Sequence, residues 1–310
     1  MLTVAGVIAV RVLAERYEHA VRRAELLDAS AREAGRPLSG ALDFLVIGSD
    51  LRVANPSAGQ RADTIVLAHV PAAHDRVYLI SIPRDLLVTL PPYPAAGYPG
   101  GQDKINAAFQ YGQGGPQLLS ATLTGLTGVR FDGAAIIEFS GFRRVIDLLG
   151  GVTVCVDHEV RSIHTGRLFT VGCHRMTGAV ALDYVRQRYD LPHGDYDRQR
   201  HQQQLLRSIL KQATDRGVLT NPVRLDQLIR AVGSSLTVDT NGVPVARLIL
   251  TLRNLRAGDL VGVRIPAQGD MIEGVSYAIA QPAAKDLFAA LRDDSLATWV
   301  AANPRWVNRL

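Results

Sequence analysis

Leu42-Asp-Phe-Leu-Val-Ile47, Thr64-Ile-Val-Leu-Ala-His-Val70 and Arg76-Val-Tyr-Leu-Ile-Ser-Ile82 decide the fold. Each is a short apolar run rich in Val and Ile, the pattern of a strand buried on both faces. Ala134-Ala-Ile-Ile-Glu-Phe139, Val152-Thr-Val-Cys-Val156 and Leu260 to Ile265 read the same way. Helical stretches separate them: 105–126, interrupted from Gly112 to Gly115; Phe142 to Leu149, ended by Gly150-Gly151; then 178–188, 198–216 and 282–291. Strands that alternate with helices predict an α/β fold, its largely parallel or mixed sheet lying between helical layers.

Outward from these runs the chain is simpler. Residues 90–102 hold several Pro and Gly and read as a loop; 14–34 are charged and alanine-rich and read as a helix, broken at Gly35-Arg-Pro37. Met1 to Val10 is apolar but only about half the ~20 residues of a spanning helix, and Arg11 interrupts it. It reads as the end of a membrane anchor or as an amphipathic helix. No repeat or low-complexity tract appears. The expected organisation is an anchor remnant and helical lead-in (1–40), one catalytic domain (41–292) and a C-terminal tail (293–310).

Among 310 residues, 47% are hydrophobic, enough for a sizeable core and against wholesale disorder. Lys and Arg total 34 against 29 Asp and Glu, and the only lysines are Lys104, Lys211 and Lys285. Arginine suits bidentate contacts with phosphate and carboxylate, so anionic substrates, membrane surfaces and nucleic acid are admissible partners. A GC-rich genome accounts for most of a global arginine bias, so only local placement argues function. The two cysteines, Cys155 and Cys173, are too few for a metal cluster. They are open to a disulfide or to two buried thiols.

Local placement is informative at strand ends. Gly48-Ser-Asp50-Leu-Arg52 follows the first strand, where open α/β sheets place ligands. Arg61 and Asp63 precede the second. Asp50 and Asp63 could share a hard cation that keeps water and phosphate oxygens, or each could cap a turn. Ser81-Ile-Pro-Arg84-Asp85 closes the third strand, and Lys104 stands in Asp103-Lys-Ile-Asn106, alone among arginines. The densest cluster runs from Tyr184 to Gln202. Arg186 and Arg188, two apart, converge only if a helix ends there, as Pro192-His-Gly194 indicates. Asp195 or Asp197 then caps the next helix, with Arg198 and Gln202 on one face of it. Convergent arginines at a helix N-terminus make a phosphate site or a solvated charged loop.

Together these segments resemble the LytR-CpsA-Psr family. The resemblance rests on Gly-Ser-Asp-x-Arg (48–52), Arg-x-Asp-Thr (61–64), Ser-Ile-Pro-Arg-Asp (81–85), Lys-Ile-Asn-Ala-Ala (104–108), Asp-Leu-Leu-Gly-Gly-Val (147–152), Arg-x-Arg (186–188) and Asp-x-x-Arg-x-x-x-Gln (195–202). It implies an α/β/α sandwich with a central mixed sheet and a hydrophobic lipid pocket. It also implies a membrane-associated, extracytoplasmic transferase that moves a glycopolymer phosphate from a polyprenyl pyrophosphate to a peptidoglycan hydroxyl. By motif, Asp50 and Asp63 would hold Mg²⁺, or Mn²⁺ in its place. Arg61, Arg84, Arg186, Arg188, Arg198 and Gln202 would hold the pyrophosphate. Arg84, Arg186, Arg188 and Asp195 would be catalytic, Asp195 by orienting or deprotonating the acceptor hydroxyl or by supporting the arginines. Ile105, Phe109, Leu118, Leu119, Leu123 and Phe139 are candidate linings for the lipid, with core packing the alternative. The resemblance also favours a Cys155–Cys173 disulfide.

The chain departs from the family at His201, where members usually carry Arg, and in its incomplete membrane span. Two other functions compete. One is hydrolysis of a lipid pyrophosphate at the same site. The other is a non-catalytic DNA-binding regulator, which lacks support because no helix-turn-helix spacing or basic stripe is present.

Overall fold

A computed structural model of the protein describes residues 20–49, 62–110, 114–218, 221–233 and 235–310. An eight-stranded mixed sheet forms its centre. In chain order its strands are β1 (Arg22–Arg23), β2 (Leu42–Ser49), β3 (Ala62–Val70), β4 (Val77–Ile82), β5 (Gly133–Glu138), β6 (Leu236–Asp239), β7 (Leu260–Arg264) and β8 (Val307–Asn308). In space they run β1-β6-β5-β2-β3-β4-β7-β8. β2 is parallel to β5 and antiparallel to β3, and β4 is parallel to β7.

Side-chain alternation along β2 sorts two layers. Leu45 and Ile47 enter the larger core beside Leu67, Ile65, Ala134 and Ile136. That core is closed by α1 (Gly115–Thr127) and, near the chain's end, by a helix at Ala283–Arg292. Phe44 and Val46 face the other way, towards Leu206. On this second side lie α2 (Phe139–Leu148), α3 (Gly178–Val185) and α4 (Asp195–Asp215). The helices therefore cover both faces of the sheet, an α/β/α sandwich.

Two glycines permit close approaches that shape the second side. A Cβ at Gly48 would lie 2.9 Å from Thr64 Cβ, so β2 and β3 could not pair as they do at this end. A Cβ at Gly178 would lie 2.3 Å from the Arg143 carbonyl oxygen, so only glycine lets α3 start against α2. Gln203, fully buried on α4, donates to the Leu79 and Val263 carbonyls (2.7 and 3.0 Å) and to Ser81 Oγ (2.8 Å). These bonds fix α4 across β4 and β7.

Three expectations are corrected. The helix expected over 14–34 does not form in its described part beyond Ala20; β1 pairs with β6 instead, and a short 3-10 turn follows at Ala29–Ala31. Asp239 captures the backbone N–H groups of Leu26 and Leu27 (2.9 and 3.1 Å) and pairs with Arg32, while Leu26, Leu27 and Ala31 enter the core. Tertiary contacts thus override helix propensity. The boundaries near 40 and 293 do not separate units: Leu296, Trp299 and Trp306 join the same core, and β8 joins the same sheet. Val152–Val156 forms a strand outside the main sheet, paired among the described residues with Gly172–Met176 in an antiparallel hairpin. Cys155 stands directly opposite Cys173 in that hairpin and the two are disulfide-bonded. Among the described residues, no helix is long and apolar enough to cross a membrane.

Candidate active site

β3 runs antiparallel to β2 and β4, so its first residues meet the last residues of both neighbours. The register sets Gly48 beside Thr64 on one side and Ile137 on the other. These strand ends floor a cavity of about 300 Å³ between the sheet and α2–α4. Val46, Val66 and Ile137 line its sheet side. Phe139 and Phe142 of α2, Leu182 and Val185 of α3 and Leu206 of α4 line its helical side. Asp63, Arg84, Arg186, Arg188, Arg198 and Gln202 line the same cavity. An apolar chamber thus shares one space with a group of cations.

The arginines converge for separate local reasons. Arg84 leaves the end of β4 just after Pro83, and its Nη1 donates to Asp63 Oδ1 at 2.6 Å. Arg186 caps the C-terminus of α3 and lies over the Phe139 ring, 5.3 Å from its centroid. The helix has ended, so Arg188, two residues on, also lines the cavity; it lies 4.9 Å over the Tyr189 ring and donates to its hydroxyl. Gln187, between them, points inward, fully buried, and donates to Ser162 Oγ and the Asp183 carbonyl. On α4, Arg198 and Gln202 are one turn apart and share the cavity face.

Arg198 is 5% exposed. Its Nη2 contacts Asp195 Oδ1 at 2.6 Å and the Asp63 carbonyl at 3.3 Å. Burial pushes its pKa down; Asp195 and Asp63 oppose the shift, and Arg84 and Arg188 reinforce it. A guanidinium stays charged nonetheless. Both Arg198 Nε and Arg84 Nε are buried without a hydrogen-bond partner. Arg84 Nε has Asp85 Oδ2 only at 3.7 Å, and buried donors without a hydrogen bond are a cost that an anion in the cavity would remove.

Other expected residues lie elsewhere. Asp195 does not line the cavity; it is held between Arg198 and Gln199 Nε2 (2.9 Å). His201, on another face of α4, is fully buried, stacks on Tyr184 at 4.6 Å and meets Asp157 at 3.1 Å. The arginine-to-histidine departure therefore does not reach the cavity. Lys104 pairs with Asp85 at 3.2 Å and lies over Tyr277. Asp50, Arg52 and Arg61 lie outside the described residues.

The apolar lining is corrected. Ile105, Phe109, Leu118, Leu119 and Leu123 are fully buried in the core on the opposite side of the sheet, and only Phe139 of the expected set lines the cavity. Helix α1 lies on the far layer, which sequence periodicity does not reveal. Val46, Val66, Ile137, Phe142, Leu182, Val185 and Leu206 take their place, and Ile163, His164 and Tyr189 are further lining residues that the sequence reading missed. The available signals were the alternation along β2 and the Phe139/Phe142 spacing of one helical face.

Among the described residues, no group of three or more His, Cys, Asp or Glu could cage a metal. Asp63 is the one acidic residue among those lining the cavity. With a single carboxylate among the described lining residues, a hard divalent cation here would take most of its oxygens from water and phosphate.

A sequence profile of the LytR_cpsA_psr family matches residues 13–293. Over 265 residues the chain is 31% identical to the cell wall biosynthesis protein LcpA of Corynebacterium glutamicum, covering 75% of this chain and 51% of that one. The chain spans about half the length of the curated relatives it matches. Its fold is similar to a structure described as TagT bound to LI-WTA (TM-score 0.69, 22% identity, 88% of this chain and 98% of that one). It is also similar to the LytR-Csp2A-Psr enzyme from Actinomyces oris (TM-score 0.66, 24% identity, 87% and 95%).

Proposed function

The chain belongs to the LytR_cpsA_psr family, and from that premise we propose that it transfers a glycopolymer phosphate from a polyprenyl pyrophosphate to a peptidoglycan hydroxyl. The observation that carries this reading is the joining of four arginines, two with a buried Nε that makes no hydrogen bond, to an apolar chamber in one cavity. An amphiphile with a phosphate head and a hydrocarbon tail matches both halves. The similar proteins, one named for cell wall biosynthesis and one described as bound to LI-WTA, support a cell-envelope glycopolymer as cargo.

In this reading the acceptor hydroxyl attacks the phosphorus that bears the sugar. A new C–O–P linkage forms, the P–O–P bond breaks, polyprenyl phosphate leaves, and the hydroxyl proton passes to solvent or a base. Phosphoryl transfer needs mainly positioning and charge stabilisation. Arg84, Arg186, Arg188 and Arg198 orient the two phosphates and stabilise the charge that grows on the leaving one. Gln202 adds a neutral hydrogen-bonding group on the Arg198 face. Asp195 acts through Arg198, whose guanidinium it holds. Asp63, with Asp50, would hold Mg²⁺, which supplies further charge neutralisation on the phosphate oxygens. Val46, Val66, Phe142 and Leu206 receive the isoprenoid tail. The protein works at the extracytoplasmic face of the cell membrane, anchored by its N-terminal segment.

The test is product analysis with a polyprenyl-pyrophosphate-linked glycan, with and without a peptidoglycan acceptor. A phosphodiester-linked product that requires the acceptor is expected. Release of free glycan phosphate at the same rate in both mixtures would identify a hydrolase instead.

A further inference from the structure

We propose that segment 160–173, at the mouth of the cavity, is a lipid-surface contact that seats the cavity on an anionic membrane. The inference rests on the lipid substrate proposed above. Val160–Arg161 and Leu168–Phe169 form a small antiparallel hairpin in which Leu168 opposes Arg161 and Phe169 opposes Val160. Val160 and Phe169 are buried, so the opposite face carries Arg161 and Leu168 into solvent. Three aliphatics on this short segment are exposed: Ile163 (56%), Leu168 (42%) and Val171 (63%).

The exposure is built into the fold. Ser162 Oγ donates to Asp183 Oδ1 at 2.6 Å and accepts from the His164 and Thr165 N–H groups at 3.0 Å. Thr165 Oγ1 donates to Asp183 Oδ2 at 2.6 Å, and the Ile163 N–H donates to Gln187 Oε1 at 3.2 Å. Asp183 and Gln187 are buried side chains of the α3 region, so interior polar groups hold this loop. The Cys155–Cys173 disulfide ties its far end to the adjacent hairpin. A loop fixed in this way presents apolar side chains without the entropic cost of ordering them on contact.

Charge identifies the occupant. Arg161, Arg167 and Arg175 are exposed on and beside the segment, and Glu159 is the one carboxylate between 158 and 176. Arg161 and Arg175 donate to the carbonyls of Gly166 and Gly150. Aliphatics interleaved with arginine, on a rigid projection, match an interface of acyl chains below anionic headgroups. The surface is also continuous with the proposed site, because Ile163 and His164 line the cavity. A lipid tail could then pass from bilayer to cavity along this lip.

The experiment uses the full chain with sedimented vesicles of phosphatidylcholine, alone or mixed with phosphatidylglycerol. Wild type is compared with the double variant Leu168→Asp/Val171→Asp, which leaves the cavity lining intact. Partitioning onto the anionic vesicles should fall roughly tenfold or more in the variant, and wild type should favour anionic over neutral vesicles. In a second arm, Val171→Trp places a reporter whose fluorescence brominated lipid should quench; Trp299 and Trp306 are buried in the core. A third arm, turnover of a short-chain soluble pyrophosphate without vesicles, should be equal in wild type and the double variant. Its loss in both proteins would count against the proposed substrate, not against the surface. Equal partitioning of wild type and double variant, no preference for anionic lipid, or an unquenched reporter overturns the proposal.

Discussion

Arg84 Nη1 lies 2.6 Å from Asp63 Oδ1, an ion pair between the end of β4 and the start of β3 that lines the cavity. The pair holds Arg84 in place while its Nε, buried and without a hydrogen bond, lies 3.7 Å from Asp85 Oδ2. Asp63 therefore has two proposed duties, orienting Arg84 and binding the cation. Asp63→Asn should fold normally and shift the Mg²⁺ concentration for half-maximal turnover upward by roughly tenfold or more. A metal titration of both proteins checks this; superimposable curves would remove Asp63 from the metal site.

Asp195 contacts Arg198 and Gln199 rather than the cavity. As a positioning residue, it should not define a limb of the pH–rate profile. Asp195→Asn is expected to lower kcat about tenfold, through a looser Arg198, with the profile's shape unchanged. Loss of a titrating limb together with a far larger rate loss would make Asp195 the proton acceptor.

His69 lies between two carboxylates at the opposite end of β3, with Nδ1 2.8 Å from Asp43 and Nε2 3.0 Å from Asp294. Burial opposes its charge, but the hydrogen bonds and charges of Asp43 and Asp294 prevail and raise its pKa. A raised histidine pKa gives stability that is full below the unfolded value, about 6.5, and lost as pH rises through the folded value. Burial pushes the Asp132 carboxyl up to about 6, against the opposing pull of the Asp43 N–H and Arg36, so its contribution is lost at lower pH, between its ordinary value and about 6. Urea midpoints should therefore fall as pH rises above about 6.5, and His69→Gln should flatten that part of the slope. An unchanged slope in the variant would place the imidazole outside this linkage.

The Cys155–Cys173 bond closes a loop with a sequence separation of 18. In the chain-entropy model such a loop contributes about 3 kcal/mol. Cys155→Ser/Cys173→Ser should lower stability by about that amount with the fold retained. Thiol titration of unfolded, unreduced protein should find no free thiol. Two reactive thiols in oxidatively prepared protein would contradict the pairing.

The sequence showed the main sheet because β2, β3, β4, β5 and β7 are apolar enough to read without context. It also brought Arg84, Arg186, Arg188, Arg198 and Gln202 together, since strand ends and helix breaks leave local marks. Layer assignment was not legible. Phe109 and Leu119 on one side, and Phe142 and Leu206 on the other, are equally apolar; only tertiary packing decides which face of the sheet each covers. The chain ends are not legible for a related reason. Leu26, Leu27 and Trp306 are anchored by partners as distant as Asp239 and Arg264, which no local pattern announces.

The most direct test of the proposed pyrophosphate clamp compares Arg→Lys substitutions inside and outside the cavity. Lysine keeps the charge but loses the planar fork that binds two phosphate oxygens at once. Turnover of a polyprenyl pyrophosphate at saturating concentration should fall by about 10²–10³ in Arg84→Lys and Arg188→Lys, with folding preserved. It should be unchanged in Arg230→Lys, whose side chain is exposed on α5 (Pro222–Gly233) and paired with Asp226. Normal transfer by Arg188→Lys, or an equal loss in Arg230→Lys, would contradict the assignment of this cavity as the pyrophosphate site.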